Sequence, residues 1–523
     1  MKHMKKIASF LLAAIMVLAV ATTVFAADKP TITAPAGSAH TYKVYQIFTG
    51  DLSGSVLSNV KWGKNGTGTK DETVSDTILN ELTALNSVTV DATKLTEIEK
   101  YVNLAGAEYG TVTAGRPLEV DPGYYLIKDE GPATGQDFYS EYIVKIAGGV
   151  TISPKGDIPS SEKKVKDTND TDGTTSGWQD SADYDINDEI PYQLTATIPA
   201  DVKLSNYDKY VVTFVDTISK GLTYKAGSAK ISVDGADATA LADPSIVDYS
   251  GAETAYTGGK VLTWDLGDIK ATRGVTTDSA HTIVVTYTAT LNSNAVIGEA
   301  GNPNKFHITF YNNPNNSGSG TPNTGETPDD VNKVFTYKVE INKVTATSEP
   351  LKGADFTLYK EVKDGTISGA KTGATIKTEL AASNSAIKAT DLADAKYYIV
   401  VGKETVSSET TKFEFKHLDD GKYVLVETKI PDTYNAANSY AFTITATHSE
   451  TEDDPVLLTL SVDDTTNFTA TKASGVISAS IVNNQGSTLP TTGGIGTTIF
   501  YVLGSILVLG AVILLATRRR MSR

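Results

Sequence analysis

The sequence predicts an all-β protein built of tandem domains, and three observations carry that prediction. Thr, Val and Tyr recur in short runs that alternate with polar residues, with Gly, Asn and Asp between the runs, which is the composition of strands and turns. Long amphipathic helical periodicity is not evident. At 523 residues, 40% apolar and 21% charged, the chain has room for about three ordinary domains.

The two ends frame those domains. Lys2, Lys5 and Lys6 precede an apolar stretch from Ile7 to Val24, and Val24-Phe25-Ala26 fits a small-residue cleavage rule. Residues 1–26 therefore read as a signal peptide and the chain as exported. There is no cysteine, so neither disulfides nor thiolate metal sites are available. At the other end, Gly494 to Thr517 is a 24-residue uncharged run, followed by Arg518, Arg519, Arg520 and Arg523. As a helix it spans the roughly 30 Å core of a bilayer, with the arginines held on the cytoplasmic side. The formal charge is −16, and removing the seven positive charges of the two end segments leaves −23 for residues 27–493. That excess argues against nucleic acid or an anionic membrane surface as partner.

Leu489-Pro490-Thr491-Thr492-Gly493 stands directly before the apolar run. Pentapeptide, apolar run and arginine tail, residues 489–523, resemble the LPxTG sorting signal of Gram-positive surface proteins. The resemblance implies that a sortase cysteine attacks the Thr492–Gly493 bond and that an amine then takes the acyl group. The membrane would hold the chain only before sorting, and the cell wall afterwards.

The first domain is expected over residues 27–157. Thr41–Phe48, Gly123–Lys128 and Tyr142–Ile146 alternate as strands, whereas residues 75–107 look more helical. Asp51-Leu52-Ser53-Gly54-Ser55 matches a DxSxS metal pattern but lacks the buried strand such a site needs, so a solvated turn is expected. The domain closes with Val150-Thr151-Ile152-Ser153-Pro154-Lys155-Gly156, where Pro154 stops strand pairing. This end resembles the YPKN-like pilin motif of sortase-assembled pili, with Ser153 in place of Tyr and Gly156 in place of Asn. It implies that Lys155 is the amine accepting Thr492 of a neighbouring subunit.

The second domain is expected over 158–316. Lys163, in its first strand, shares a face with Val165. Residues 166–183 are polar and acidic; Asp167 to Gly173 is similar to a calcium loop but lacks its closing Glu, and an ordinary loop is expected. Tyr210–Asp216 alternates, with Asp216 on the Val212/Phe214 face, and Phe306–Asn312 puts Phe306, Ile308, Phe310 and Asn312 on one face. The stretch from Asp216 to Leu222 and the end Phe310-Tyr311-Asn312-Asn313-Pro314 resemble the central domain of major fimbrial subunits. That resemblance implies an intramolecular isopeptide bond from Lys163 to Asn312, promoted by Asp216. Lys164 and Asn313 are the nearest alternatives.

A Ser-, Gly- and Pro-rich linker is expected over 317–330 and a third domain over 331–486. Leu351-Lys352-Gly353-Ala354-Asp355-Phe356-Thr357-Leu358-Tyr359 and the run from Tyr423 to Tyr434 resemble the GAxFxLY strand and the YxLxETxAPxxY E-box of collagen-adhesin B-type domains, with Ile430 in place of Ala. The implied bond joins Lys343 to Asn483, with Glu427 as catalyst and Asn484 as an alternative to Asn483.

Taken together, these resemblances imply tandem immunoglobulin-like, collagen-adhesin B-type β-sandwiches. The chain is then the shaft subunit of a covalent, wall-anchored pilus. Its partners are a sortase, neighbouring subunits, peptidoglycan and host matrix. A monomeric LPxTG-anchored adhesin or accessory pilin is the alternative. No turnover enzyme is expected, because none of the six histidines sits in a hydrolase motif and all outside the leader read as surface or rim residues. No metal or cofactor is expected either.

Overall fold

The structure is a computed structural model describing residues 29–521, except 35, 54–55, 85–96, 132–140, 147–149, 153–157, 203, 205–206, 208, 239–241, 313–323, 407–410 and 487–494. The leader, Lys155 and Leu489–Gly493 lie outside the described residues.

Three β modules follow one another. In the first, Tyr42–Ser53 is the central strand, paired with Val56–Trp62, Gly110–Val112 and Gly123–Asp129. A small second sheet pairs Thr31–Thr33 with Leu118–Glu119 and, in parallel, with Val150–Thr151. Of the span expected to be helical, Asp76–Ala84 forms a helix. Asp51, Leu52 and Ser53 of the Asp51 motif end the strand Tyr42–Ser53, with Asp51 exposed and accepting from Asn59 Nδ2 at 2.7 Å, while Gly54 and Ser55 lie outside the described residues.

The second module is a sandwich. One sheet carries Ser160–Val165, Glu189–Ile198 and His281–Leu291; the other carries Asn302–Tyr311, Val211–Ile218 and Lys260–Asp268. His281–Leu291 alternates buried and half-buried along its whole length, as expected of a strand with one face in the core. That core is dense in aromatic residues, among them Tyr192, Phe214, Trp264, Tyr287 and Phe306.

The third module sets a four-stranded sheet against a six-stranded one. Tyr337–Thr345 and Val476–Asn483, its first and last strands, pair in parallel in the smaller sheet. Asp355–Val362 and Gly421–Lys429 are neighbours in the larger.

The expected linker is corrected by the structure. Thr324–Glu326 and Asp330–Phe335 are strands paired with Asn302–Tyr311, so they complete the second module's sheet. Val334 belongs to the core of module 2 and Phe335, the next residue, to the core of module 3. The second module thus runs to Phe335, and the chain crosses the boundary without a free segment. The two backbones also touch. Gly298 and Gly475 both have positive φ, and a Cβ on Gly475 would lie 2.5 Å from Gly298 Cα. Neither position has room for a side chain.

The polar stretch expected as a loop contains the hairpin Thr168–Asn169/Thr174–Thr175, which lies on module 3. Asn169 Nδ2 donates to Asp420 at 2.6 Å, and the amide of Lys363 donates to the Asp170 carbonyl at 2.9 Å. The last element is the helix Ile495–Met521, long and apolar enough to cross a membrane, with Arg518, Arg519 and Arg520 in its final turn. Its apolar span is not packed against the modules.

Candidate crosslinking sites

In module 3 the two parallel strands place Lys343 opposite Ile481, with Asn483 one inward position further along. Glu427 faces them from the larger sheet. Lys343, Glu427 and Asn483 are each at most 1% exposed. Asn483 Nδ2 donates to both carboxylate oxygens of Glu427 at 2.9 Å and to the Asn435 carbonyl at 2.8 Å. The amide of Ala437 donates to Glu427 Oε2 at 2.8 Å. Lys343 Nζ donates to the backbone carbonyls of Ile481 at 3.1 Å and Val344 at 3.3 Å. Burial pushes its amine down to about 8, against the opposing pull of Glu427, and burial raises the Glu427 carboxyl. The Asn483 carbonyl oxygen is buried without a hydrogen-bond partner. The structure therefore brings together all three residues singled out in the sequence. Asn484, the alternative, uses its backbone carbonyl to accept from Asn435.

Module 2 differs from expectation in one member. Lys163 and Asp216 meet in the core, both fully buried, with Nζ 2.5 Å from Oδ1. Tyr192 and Tyr287 stack at 5.2 Å, and the lysine nitrogen lies 4.7 and 5.4 Å from their ring centres. Burial lowers the proton affinity of this lysine, outweighing the attraction of Asp216. Lys164, the alternative, is half-buried and bonded to Asp180 at 2.6 Å.

Asn312 is not part of this group. The register pairs Asp216 with Phe306 and Val212 with Phe310, so Asn312 stands six residues beyond Phe306, roughly 20 Å along the strand. No side chain spans that gap. Asn304 occupies the matching position instead. It is on the same inward face, fully buried, and its Nδ2 donates to Tyr287 Oη at 2.7 Å. Tyr287 Oη in turn donates to Asp216 Oδ2 at 2.5 Å. The Asn304 carbonyl oxygen, like that of Asn483, is buried without a hydrogen-bond partner. The signal was present in the alternation of Phe306, Ile308 and Phe310, which continues backwards to Asn304 as well as forwards to Asn312.

A third buried lysine was not foreseen. Lys360 Nζ lies 2.5 Å from Asp185, 2.5 Å from Asp419 and 3.0 Å from Asp170. Asp170 and Asp185 belong to module 2, whereas Lys360 and Asp419 belong to module 3. Burial alone would lower this amine, but Asp419, Tyr423, Asp185 and Asp170 hold it well above its usual range. The histidines also depart from expectation: His40, His281 and His417 are buried, and His40 Nδ1 is 2.8 Å from Asp129.

Comparison with known proteins bears on three segments. Residues 337–455 match a prealbumin-like fold domain family, residues 186–314 the Gram-positive pilin backbone subunit 2, Cna-B-like domain, and residues 481–522 the LPXTG cell wall anchor motif. The trypsin-resistant surface T6 protein of Streptococcus pyogenes serotype M6 is 25% identical over 405 residues, 71% of either chain. Among solved structures, the T6 backbone pilin of that organism has a TM-score of 0.48 at 17% identity, with 88% of this chain and 98% of that one covered. The full-length major pilin SpaD of Corynebacterium diphtheriae has a TM-score of 0.44 at 16% identity, with the same coverage. The chain thus carries a Gram-positive pilin backbone domain and an LPXTG cell wall anchor motif, and it is similar over most of its length to the T6 surface protein.

Proposed function

We propose that this pilus shaft subunit is polymerised by a sortase, which joins Thr492 of one copy to Lys155 of the next, and is strengthened by two internal lysine–asparagine crosslinks. The observation that carries the crosslinks is a repeated one. In modules 2 and 3, a buried lysine of the first strand, a buried carboxyl of a middle strand and a buried asparagine of a later strand converge in the core.

An amide is a poor electrophile and a protonated amine is no nucleophile. Burial lowers the amines of Lys163 and Lys343 and raises the Glu427 carboxyl, favouring their neutral forms. Once the side-chain amide turns its oxygen towards the acid, the acid donates to the asparagine carbonyl, drawing charge from Cγ, and the lysine Nζ attacks that carbon. The Nζ–Cγ bond forms and the Cγ–Nδ2 bond breaks. The carboxyl relays a proton from Nζ to the departing nitrogen, which leaves as ammonia. In module 3 the roles fall to Lys343, Glu427 and Asn483; in module 2, to Lys163, Asp216 and Asn304, with Tyr287 linking the carboxyl to the amide. Each reaction happens once, so this is maturation and not turnover.

Lys155→Ala is expected to abolish the high-mass ladder in immunoblots of cell-wall extracts, leaving monomer attached to peptidoglycan through Thr492. An unchanged ladder would assign the acceptor role to another lysine. A wild-type chain running as a single band would favour a monomeric adhesin.

The lowered amine of Lys343 gives a second expectation. In Asn483→Ala the crosslink cannot form, and Lys343 stays a free amine. From pH 8 up to its usual 10.5, the unfolded chain holds a proton that the folded chain does not. Stability therefore rises with pH across that window. The melting temperature of Asn483→Ala should climb from pH 8 upward relative to Lys343→Met/Asn483→Ala. Parallel curves for the two variants would mean that Lys343 is not held neutral by the fold.

A further inference from the structure

Modules 2 and 3 meet at a second polar group that the crosslinks do not use. His448 ends the strand Tyr440–His448 of module 3 and faces Asp167 and Asp183 of module 2. One donor atom from each of the three lies within 4.8 Å of the others, and His448 Nε2 is 3.2 Å from Asp167 Oδ2. Asp183 is 3% exposed, and its Oδ2 is buried without a hydrogen-bond partner.

The bonds behind the imidazole fix its tautomer. Ser181 Oγ lies 2.6 Å from His448 Nδ1 and 2.6 Å from the Ser449 carbonyl oxygen. A hydroxyl has one proton, and a carbonyl can only accept. The proton of Ser181 therefore goes to Ser449, and Nδ1 donates to Ser181. The lone pair of a neutral His448 is then at Nε2, on the side of the two carboxylates. Such a convergence is repulsive unless a positive charge stands within it. Tyr337, whose buried hydroxyl has no other hydrogen-bond partner, brings a neutral donor up to Asp183 but no positive charge. A divalent cation answers all three groups at once.

The spacing fits as well. A separation of 3.2 Å is close to the edge of a tetrahedron with metal–ligand bonds of about 2.0–2.1 Å. An imidazole whose far N–H is held by an oxygen has the orientation that metal-bound histidines adopt. One nitrogen and two carboxylates suit a transition metal better than calcium, which takes oxygen donors in larger number. We infer that Asp167, Asp183 and His448 form a binding site for a divalent transition metal of the zinc type, stapling module 2 to module 3. The acidic group Asp170, Asp185, Asp188 and Asp419 close by is a poorer site, because the Lys360 ammonium already stands among three of its members.

The test uses the exported chain cut before its unpacked membrane helix, stripped with a chelator and titrated with zinc and with cobalt by calorimetry. One equivalent of zinc is expected to bind and to raise the melting temperature, and cobalt is expected to give the visible absorption of a tetrahedral site. His448→Gln should remove binding, Asp183→Asn should weaken it at least tenfold, and Ser181→Ala by about tenfold through loss of ring orientation. Far-UV circular dichroism and cooperative melting report that the variants fold; if His448→Gln does not, the near-isosteric Asp183→Asn decides. Absence of saturable binding overturns the inference and leaves His448 as an imidazolium paired with Asp167. Binding that survives both His448→Gln and Asp183→Asn overturns it too, by assigning the metal to another group of carboxylates.

Discussion

The chain without its first 26 residues, cut before the helix Ile495–Met521, is expected to weigh two ammonia molecules less than its sequence requires. Asn304→Ala should restore one of them and Asn483→Ala the other, while Asn312→Ala should leave the deficit untouched. The argument for Asn304 is one of reach. Lys163 is bonded to Asp216, Asp216 to Tyr287, and Tyr287 to Asn304, whereas Asn312 lies at the far end of the same strand. Asn332 is the nearest rival by burial, but its Nδ2 donates to the Lys163 backbone carbonyl at 3.2 Å. Asn332→Ala should therefore also keep both losses. Asp216→Ala and Glu427→Ala should each recover one ammonia unit, because the relay of the proton fails.

Without its bond, each module gains freedom in the unfolded chain. The loop closed from Lys163 to Asn304 is long enough to be worth about 5 kcal/mol in the chain-entropy treatment of disulfides, which applies to any covalent closure. Asn304→Ala should accordingly melt earlier and open to trypsin. Removing Asn304 also deprives Tyr287 of a partner, so mass is the readout that separates chemistry from packing. A full-length deficit that persists in Asn304→Ala and disappears in Asn312→Ala would sink the assignment.

The sandwich cores and most members of the two buried lysine–carboxyl groups were legible, the cores because strand alternation is a short-range property. A period of two states which residues face inward, and it put Lys163 and Asp216 on inward faces, whereas Lys343, Glu427 and Asn483 were singled out by the resemblance to collagen-adhesin B-type domains. Alternation does not state how far along a strand a partner sits. That requires the register between Val211–Ile218 and Asn302–Tyr311, which depends on contacts distant in sequence. The choice between Asn304 and Asn312 was lost at that point. The module boundary was obscured in a similar way. Residues 317–330 have the composition of a linker, yet Thr324–Glu326 forms strand because the edge of the Asn302–Tyr311 strand is there to pair with. Lys360 and His448 were missed for another reason: each finds its partners in a different module, and no local pattern reports an interface. The alternation did put Lys360 on the inward face of Phe356 and Leu358, and an inward lysine is itself a signal.

That inward lysine sets the last expectation. Lys163 and Lys343 each face one carboxyl and an amide, and burial drives them towards the neutral amine. Lys360 faces Asp170, Asp185 and Asp419, which keep it charged. A charged amine cannot attack, so Lys360 should remain uncrosslinked and act as an ionic latch between modules. Lys360→Met should leave the mass deficit at two ammonia units while costing about 3–5 kcal/mol, since Asp185 and Asp419 would be left as uncompensated buried charges. Adding Asp185→Asn and Asp419→Asn should recover part of that loss, because the charges and their compensation then vanish together. Acid should shrink the gap between wild type and Lys360→Met, since protonating the carboxyls removes what the lysine neutralises. The measurements are melting curves at neutral and acid pH, with proteolysis around Phe335 to report separation of the modules. A Lys360→Met chain that melts with wild type at neutral pH would mean that the other contacts between the modules, among them Gly298–Gly475 and Asn169–Asp420, hold them without the latch.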